Sequence, residues 1–188
     1  MNFIDSILGR NRPRAAQLDA LFGLPNAALT LETTSGFLPV GSGAVCFRAA
    51  EGAAAAQTQA DIVQLLDADG DGPAVEQVTD SFGFTWLITR QSDMSALCTD
   101  LHAINTGLEE QGFGSGLLCS MVPFAEPTGR RFGLVYLYKQ GTFYPFAPKE
   151  APTRDNLLEI QVRDLLAGEL PIEKDLTKWM ALWGAPGL

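Results

Sequence analysis

The nearest approach to a chemical motif in this chain is an acidic run, Asp67, Asp69 and Asp71, followed by Gly72. Carboxylates at the first, third and fifth positions with glycine at the sixth open a calcium loop, and a bidentate glutamate must close it at the twelfth. That position is Val78, with Glu76 and Asp80 two residues to either side. Without the closing glutamate, a solvated acidic turn is expected. Gly112, Gly114 and Gly116 imitate a phosphate loop, but they lead from a helical segment into a strand, whereas phosphate cradling opens onto a helix N-terminus. Ser42, between Gly41 and Gly43, precedes a strand and lacks the spacing of a nucleophile elbow. His102 is the single histidine, so a two-histidine zinc set is excluded. A Cys98 or Cys119 thiol working with His102 is the one enzymatic arrangement on offer, and nothing orients the pair as a third member would. No catalytic, cofactor-binding or metal-ligating residue is assigned, and a non-enzymatic role is expected.

Three features point to interaction instead. Phe3, Ile4, Ile7 and Leu8 fall on one side of a short helix ending at Gly9, with Arg10, Arg12 and Arg14 beyond. Residues 1–14 thus form an amphipathic, locally basic arm that can touch an anionic membrane weakly or pack on its own domain. Trp179 and Trp183 sit together in a tail, as a core cap or as an anchor for a partner. The strip Tyr136, Tyr138, Phe143, Tyr144 and Phe146 suits a core face, with Phe143 pairing across a hairpin, or an apolar groove that accepts a peptide.

These residues must be positioned by a chain of 188 residues, 46% apolar, with a net charge of -9. The length suits one domain, residues 15–188, behind the arm. The acidity argues against nucleic acid as a partner. No apolar run approaches the roughly 18 residues a membrane span needs, and the N-terminus does not read as a secretory signal. Cys46, Cys98 and Cys119, odd in number and set in apolar stretches, read as buried free thiols of a reducing compartment, so a cytoplasmic location is expected. Periodicity and turn signals predict helices at 14–22, 53–67, 93–111 and 153–166, the first stopped by Gly23 and Pro25 and the last capped by Thr153. Strands are predicted at 27–33, 44–50, 75–79, 84–90, 117–124, 131–139 and 143–146, and a short helical piece holding Trp179 and Trp183 near the end. Asn105 falls inside the apolar seam Met94, Leu97, Leu101, Ile104, Leu108 and should bond sheet or loop backbone. The fold class is α+β, a single domain with a mainly antiparallel sheet and helices packed on it.

The segments FIDSILGR, LDALFGLPNAALTLETTSGFLPVGSGAVCF, QLLDADG, DSFGFTWLITR, DLHAINTGLEEQGFGSGLLCS, LVYLYKQGTFYPFAP and LWGAPGL resemble, in order, the actinobacterial PspA-associated PspAB family. The resemblance covers nearly the whole chain. It implies an accessory or regulatory protein of a phage-shock, membrane-stress response, acting by protein–protein interaction with a PspA-like protein or a membrane-stress protease. It transfers no catalytic motif and no cofactor. The strand–helix order also resembles the YbjN and type III secretion-chaperone group of folds, which bind proteins, often as dimers. That likeness adds a homodimer and a chaperone-like peptide groove to the expectations.

Overall fold

The computed structural model describes residues 15–48, 60–61, 63–64 and 74–188. The N-terminal arm and the Asp67–Gly72 turn lie outside the described residues. The chain enters through a short helix α1 (Ala15–Leu18) and a tight 3-10 stretch (Asp19–Gly23), then runs directly into α2 (Leu24–Ser35). The strand expected at 27–33 is therefore helix. Leu24, Ala27, Ala28 and Leu31 are buried at helical spacing, while Leu29, paired with Leu31 in the two-residue reading, is 60% exposed. Pro25 starts this helix rather than stopping the previous one, because a proline in the first turn gives up an N–H that has no helical partner anyway.

One antiparallel sheet of seven strands forms the middle of the molecule. Its strands are β1 (Leu38–Pro39), β2 (Ser42–Phe47), β3 (Glu76–Thr79), β4 (Thr85–Arg90), β5 (Leu117–Ala125), β6 (Arg131–Leu137) and β7 (Thr142–Phe146). The order across the sheet is β3-β4-β2-β5-β6-β7, and β1 pairs with β5 beyond the end of β2. A long helix α3 (Met94–Leu108) is capped by Asp93, which accepts from the Ala96 N–H at 2.8 Å. It passes into one wide turn, Glu109–Phe113, closed by Gly112 at φ 89°. The last helix α4 (Asn156–Leu166) is capped by Asp155 rather than Thr153, two residues later than the sequence signal. Of the helix expected at 53–67, the described residues Ala60, Asp61, Val63 and Gln64 are helical.

Both faces of the sheet are covered. Val45, Phe47, Leu87, Val122, Phe124, Phe132, Leu134, Tyr136 and Phe143 face the helices. Ala44, Cys46, Trp86, Ile88, Cys119, Met121, Val135, Tyr144 and Phe146 face the other way, where Trp179 and Ala185 pack on them. Strands buried on both sides read as continuous apolar runs instead of alternating ones, as in β2, where every residue is buried. On the helix side, a β-carbon at Gly43 would stand 3.1 Å from Leu101 Cδ1, so the missing side chain sets how near α3 lies to β2. The second covering layer is the C-terminal segment, with a 3-10 turn (Leu176–Lys178) that ends at Trp179 and irregular chain beyond it. The helical piece expected to hold both tryptophans is thus a single turn that holds neither.

Candidate functional site

Between the sheet and this tail lies an apolar groove of about 520 Å³. Its floor is made by Cys46 on β2, Trp86 on β4, and Leu118 and Cys119 on β5. Met180, Ala181, Leu182 and Trp183 form the roof, and Arg48, Asp80, Phe82 and Lys139 stand at the rim.

Local sequence builds each wall. In the β2–β5 ladder Cys46 faces Cys119, while the next residue, Phe47, faces Leu117. Leu118 is the extra residue of a β-bulge. The bulge breaks the alternation, so Leu117 goes to the helix-side core while Leu118 and Cys119 both line the groove. The β3–β4 turn is organised by Asp80. Its Oδ1 accepts from the Phe82 and Phe84 N–H groups, each at 2.9 Å, and its Oδ2 accepts from Trp86 Nε1 at 2.9 Å. Burial works to raise the Asp80 carboxyl, but the bonds from Trp86, Phe84 and Phe82 outweigh it and hold it below the ordinary carboxylate range. The Trp86 indole is thereby locked as part of the floor. Phe82, at the tip of the turn, is 64% exposed beside the mouth, and the Arg48 guanidinium lies 5.3 Å from the Phe84 ring centre.

The roof is anchored by polar bonds to the body. Arg154 donates from Nε to Glu159 at 2.8 Å and from Nη1 to the Trp179 carbonyl at 2.7 Å. Tyr144 Oη donates to the Met180 carbonyl at 3.0 Å, and Trp179 Nε1 donates to the Glu173 carbonyl at 3.0 Å. Trp179 stacks on Tyr144 at 5.8 Å and Trp183 meets Phe146 edge-on at 5.1 Å. A wider hollow of about 730 Å³ lies beside the end of α4, but Arg163, Asp164, Glu173 and Lys174 line it, and Arg163 and Asp164 bond each other at 2.7 Å. The apolar groove is the better candidate because it combines a closed floor with few, fixed polar groups.

The expected residues fall as follows. Tyr136, Phe143, Tyr144 and Phe146 are buried and Tyr138 is half-buried, so the strip is core and offers no open groove of its own. Tyr136 and Phe143 do pair across the β6–β7 hairpin, with rings 5.1 Å apart. Burial pushes the Tyr136 hydroxyl up to about 12, and it donates to the Gln17 carbonyl at 2.8 Å. Trp179 is buried, and Trp183, half-buried, is in the groove wall. Phe3, Ile4, Ile7, Leu8, Arg10, Arg12 and Arg14 lie outside the described residues. The structure does not bring Cys119 to His102: Cys119 belongs to the tail side of the sheet, whereas His102 packs its ring 5.4 Å from Phe22 on the helix side. Cys98 lies in the helix-side core, and burial, then Asp93, pushes its thiol up to about 12, away from a reactive thiolate. Asn105 is fully buried but bonds neither sheet nor loop backbone. Its Nδ2 donates to Leu101 O of its own helix at 2.7 Å and to Ser120 Oγ on β5 at 2.8 Å.

Sequence reasoning read Cys46 only as a buried thiol and gave no site role to Trp86, Phe82, Leu118 or the run Met180 to Leu182. The groove draws its walls from β2, the β3–β4 turn, β5 and the tail, and only the assembled sheet brings them together. Among the described residues, no group of three or more histidine, cysteine, aspartate or glutamate side chains is placed to hold a metal ion, and no helix is long and apolar enough to cross a membrane. Neither the curated proteins nor the solved structures contain a match to this chain. The family model described as PspA associated protein B matches residues 1–187, and with essentially the whole chain aligned to it, this protein belongs to that family.

Proposed function

We propose that the protein is a non-enzymatic accessory or regulator of a PspA-type membrane-stress response, working in the cytoplasm through protein–protein contact, and that the groove roofed by the tail takes apolar side chains of a PspA-like partner. The family name ties the chain to PspA. The observation that carries the rest is the groove itself: apolar walls, an exposed Phe82 at its mouth and a half-buried tryptophan in its side. Such a pocket with aromatic anchors is the form in which a few residues supply most of an interface's energy. The non-enzymatic reading is supported by the separation of Cys119 from His102 and by the raised thiol of Cys98. An acidic body of net charge -9 repels anionic lipid, so any approach to a membrane goes through the partner or the basic arm.

The test is calorimetric binding of the full chain to the purified PspA-like protein of the same organism, beside Phe82→Asp. Phe82 is exposed, so the substitution should leave the melting temperature unchanged while weakening binding roughly tenfold or more. Equal binding by both forms, or none by the native chain, overturns the reading.

A further inference from the structure

The cysteines in the groove floor are a pair, and the ladder fixes their relation. Cys46 and Cys119 are direct partners on adjacent antiparallel strands. Residues opposed in this way have Cα atoms about 4.5 or 5.5 Å apart, and both spacings fall in the window of about 4.4–6.8 Å that a disulfide spans. Their side chains leave the sheet on the same face, where they pack with Trp86 and Met121. Both are buried and line the groove, whose lining also includes the exposed Phe82. Cys98 is separated from them by the thickness of the sheet.

We infer that Cys46 and Cys119 form a reversible dithiol–disulfide couple, a modification site in the groove floor whose oxidant is a low-molecular-weight disulfide. One thiolate attacks the disulfide, expelling the first thiolate of the oxidant and leaving a mixed disulfide. The second cysteine then attacks the protein sulfur of that mixed disulfide, forming Cys46–Cys119 and expelling the second. Two protein thiols lose two protons and two electrons, and one small disulfide becomes two small thiols that take up those protons. The hydrogen bond that the Cys46 thiol donates to Cys119, then burial, raise the Cys46 thiol, so the exchange is slow near neutral pH and quickens as pH rises. The bridge would tie β2 to β5 beside the Leu118 bulge and replace two thiols of the floor with a single S–S unit.

The test treats the reduced, folded full chain with oxidised glutathione, then alkylates and maps the peptides by mass spectrometry. The expected product is lighter by two hydrogens, carries a peptide joining Cys46 to Cys119, leaves Cys98 open to alkylation once unfolded, and returns to the starting mass with dithiothreitol. Cys98→Ser should oxidise as the native chain does, and Cys119→Ser should yield no bridged peptide. Because mapping of the native chain decides the matter, a failure of Cys119→Ser to fold leaves the test intact. Unchanged mass in the folded chain, persistent glutathione adducts, or a bridge through Cys98 overturns the proposal.

Discussion

Asn105 shows how one side chain can tie two layers together. Its amide nitrogen bonds α3 to β5 through Ser120, with both residues buried. Asn105→Ala removes the only amide in the seam and strands the Ser120 hydroxyl in an apolar setting. The expected loss is about 1–3 kcal/mol in urea unfolding. Replacing both residues with apolar ones, Asn105→Leu with Ser120→Ala, should cost less than the sum of the single changes, and a double-mutant cycle measures the difference. The sequence marks Asn105 as anomalous because it interrupts a periodic stripe. Its partner is illegible there, since the facing residue is set by which strand the helix crosses.

At the scale of elements, most strands and the long helix were readable because each carries its own signal: a turn on either side, or a cap and a seam. The helix expected at 14–22 is present as α1 and the 3-10 stretch, but the strand expected at 27–33 is α2. Leu29 and Leu31 satisfy a two-residue alternation as well as Leu24, Ala27, Ala28 and Leu31 satisfy a helical one, and four apolar residues in a short window cannot decide between them. Burial decides. Leu31→Ala should cost about 2–5 kcal/mol, whereas Leu29→Ala should stay within about 0.5 kcal/mol. Parallel thermal melts of the two variants check this, and equal losses would argue for a strand. The β5 bulge was equally hidden. Nothing in the letters LLCS says that Leu118 is the unpaired residue, yet that one slip gives the groove two neighbouring floor residues in place of one.

For the whole molecule, acid is the condition to which the architecture is most exposed. The carboxyls of Asp80, Asp155 and Glu173 are all held below their ordinary range. For Asp155 burial opposes the shift and bonds from the Leu158 N–H and Lys149 prevail; for Glu173 the bond from the Asp175 N–H leads. A carboxyl depressed in the folded state stabilises fully above its unfolded value, about 4, and loses that stabilisation as pH falls through the folded value. Melting temperature should therefore be nearly flat from about pH 7 to 5 and fall below about pH 4. Asp80→Asn should lower the plateau and shrink the acid-induced drop, as read by Trp fluorescence and circular dichroism. A drop as large as that of the native chain would remove Asp80 from the account.

The roof of the groove follows every strand of its floor in chain order. During synthesis the sheet can pair as soon as β7 has left the ribosome, but Met180 to Trp183 arrive after α4 and the turn at Leu176–Lys178. Until then Cys46, Trp86 and Cys119 have no cover on that side. Among the described elements the site is thus completed after every strand of its floor, and a partner that needs both walls can recognise only a chain whose residues 180–183 have already been made.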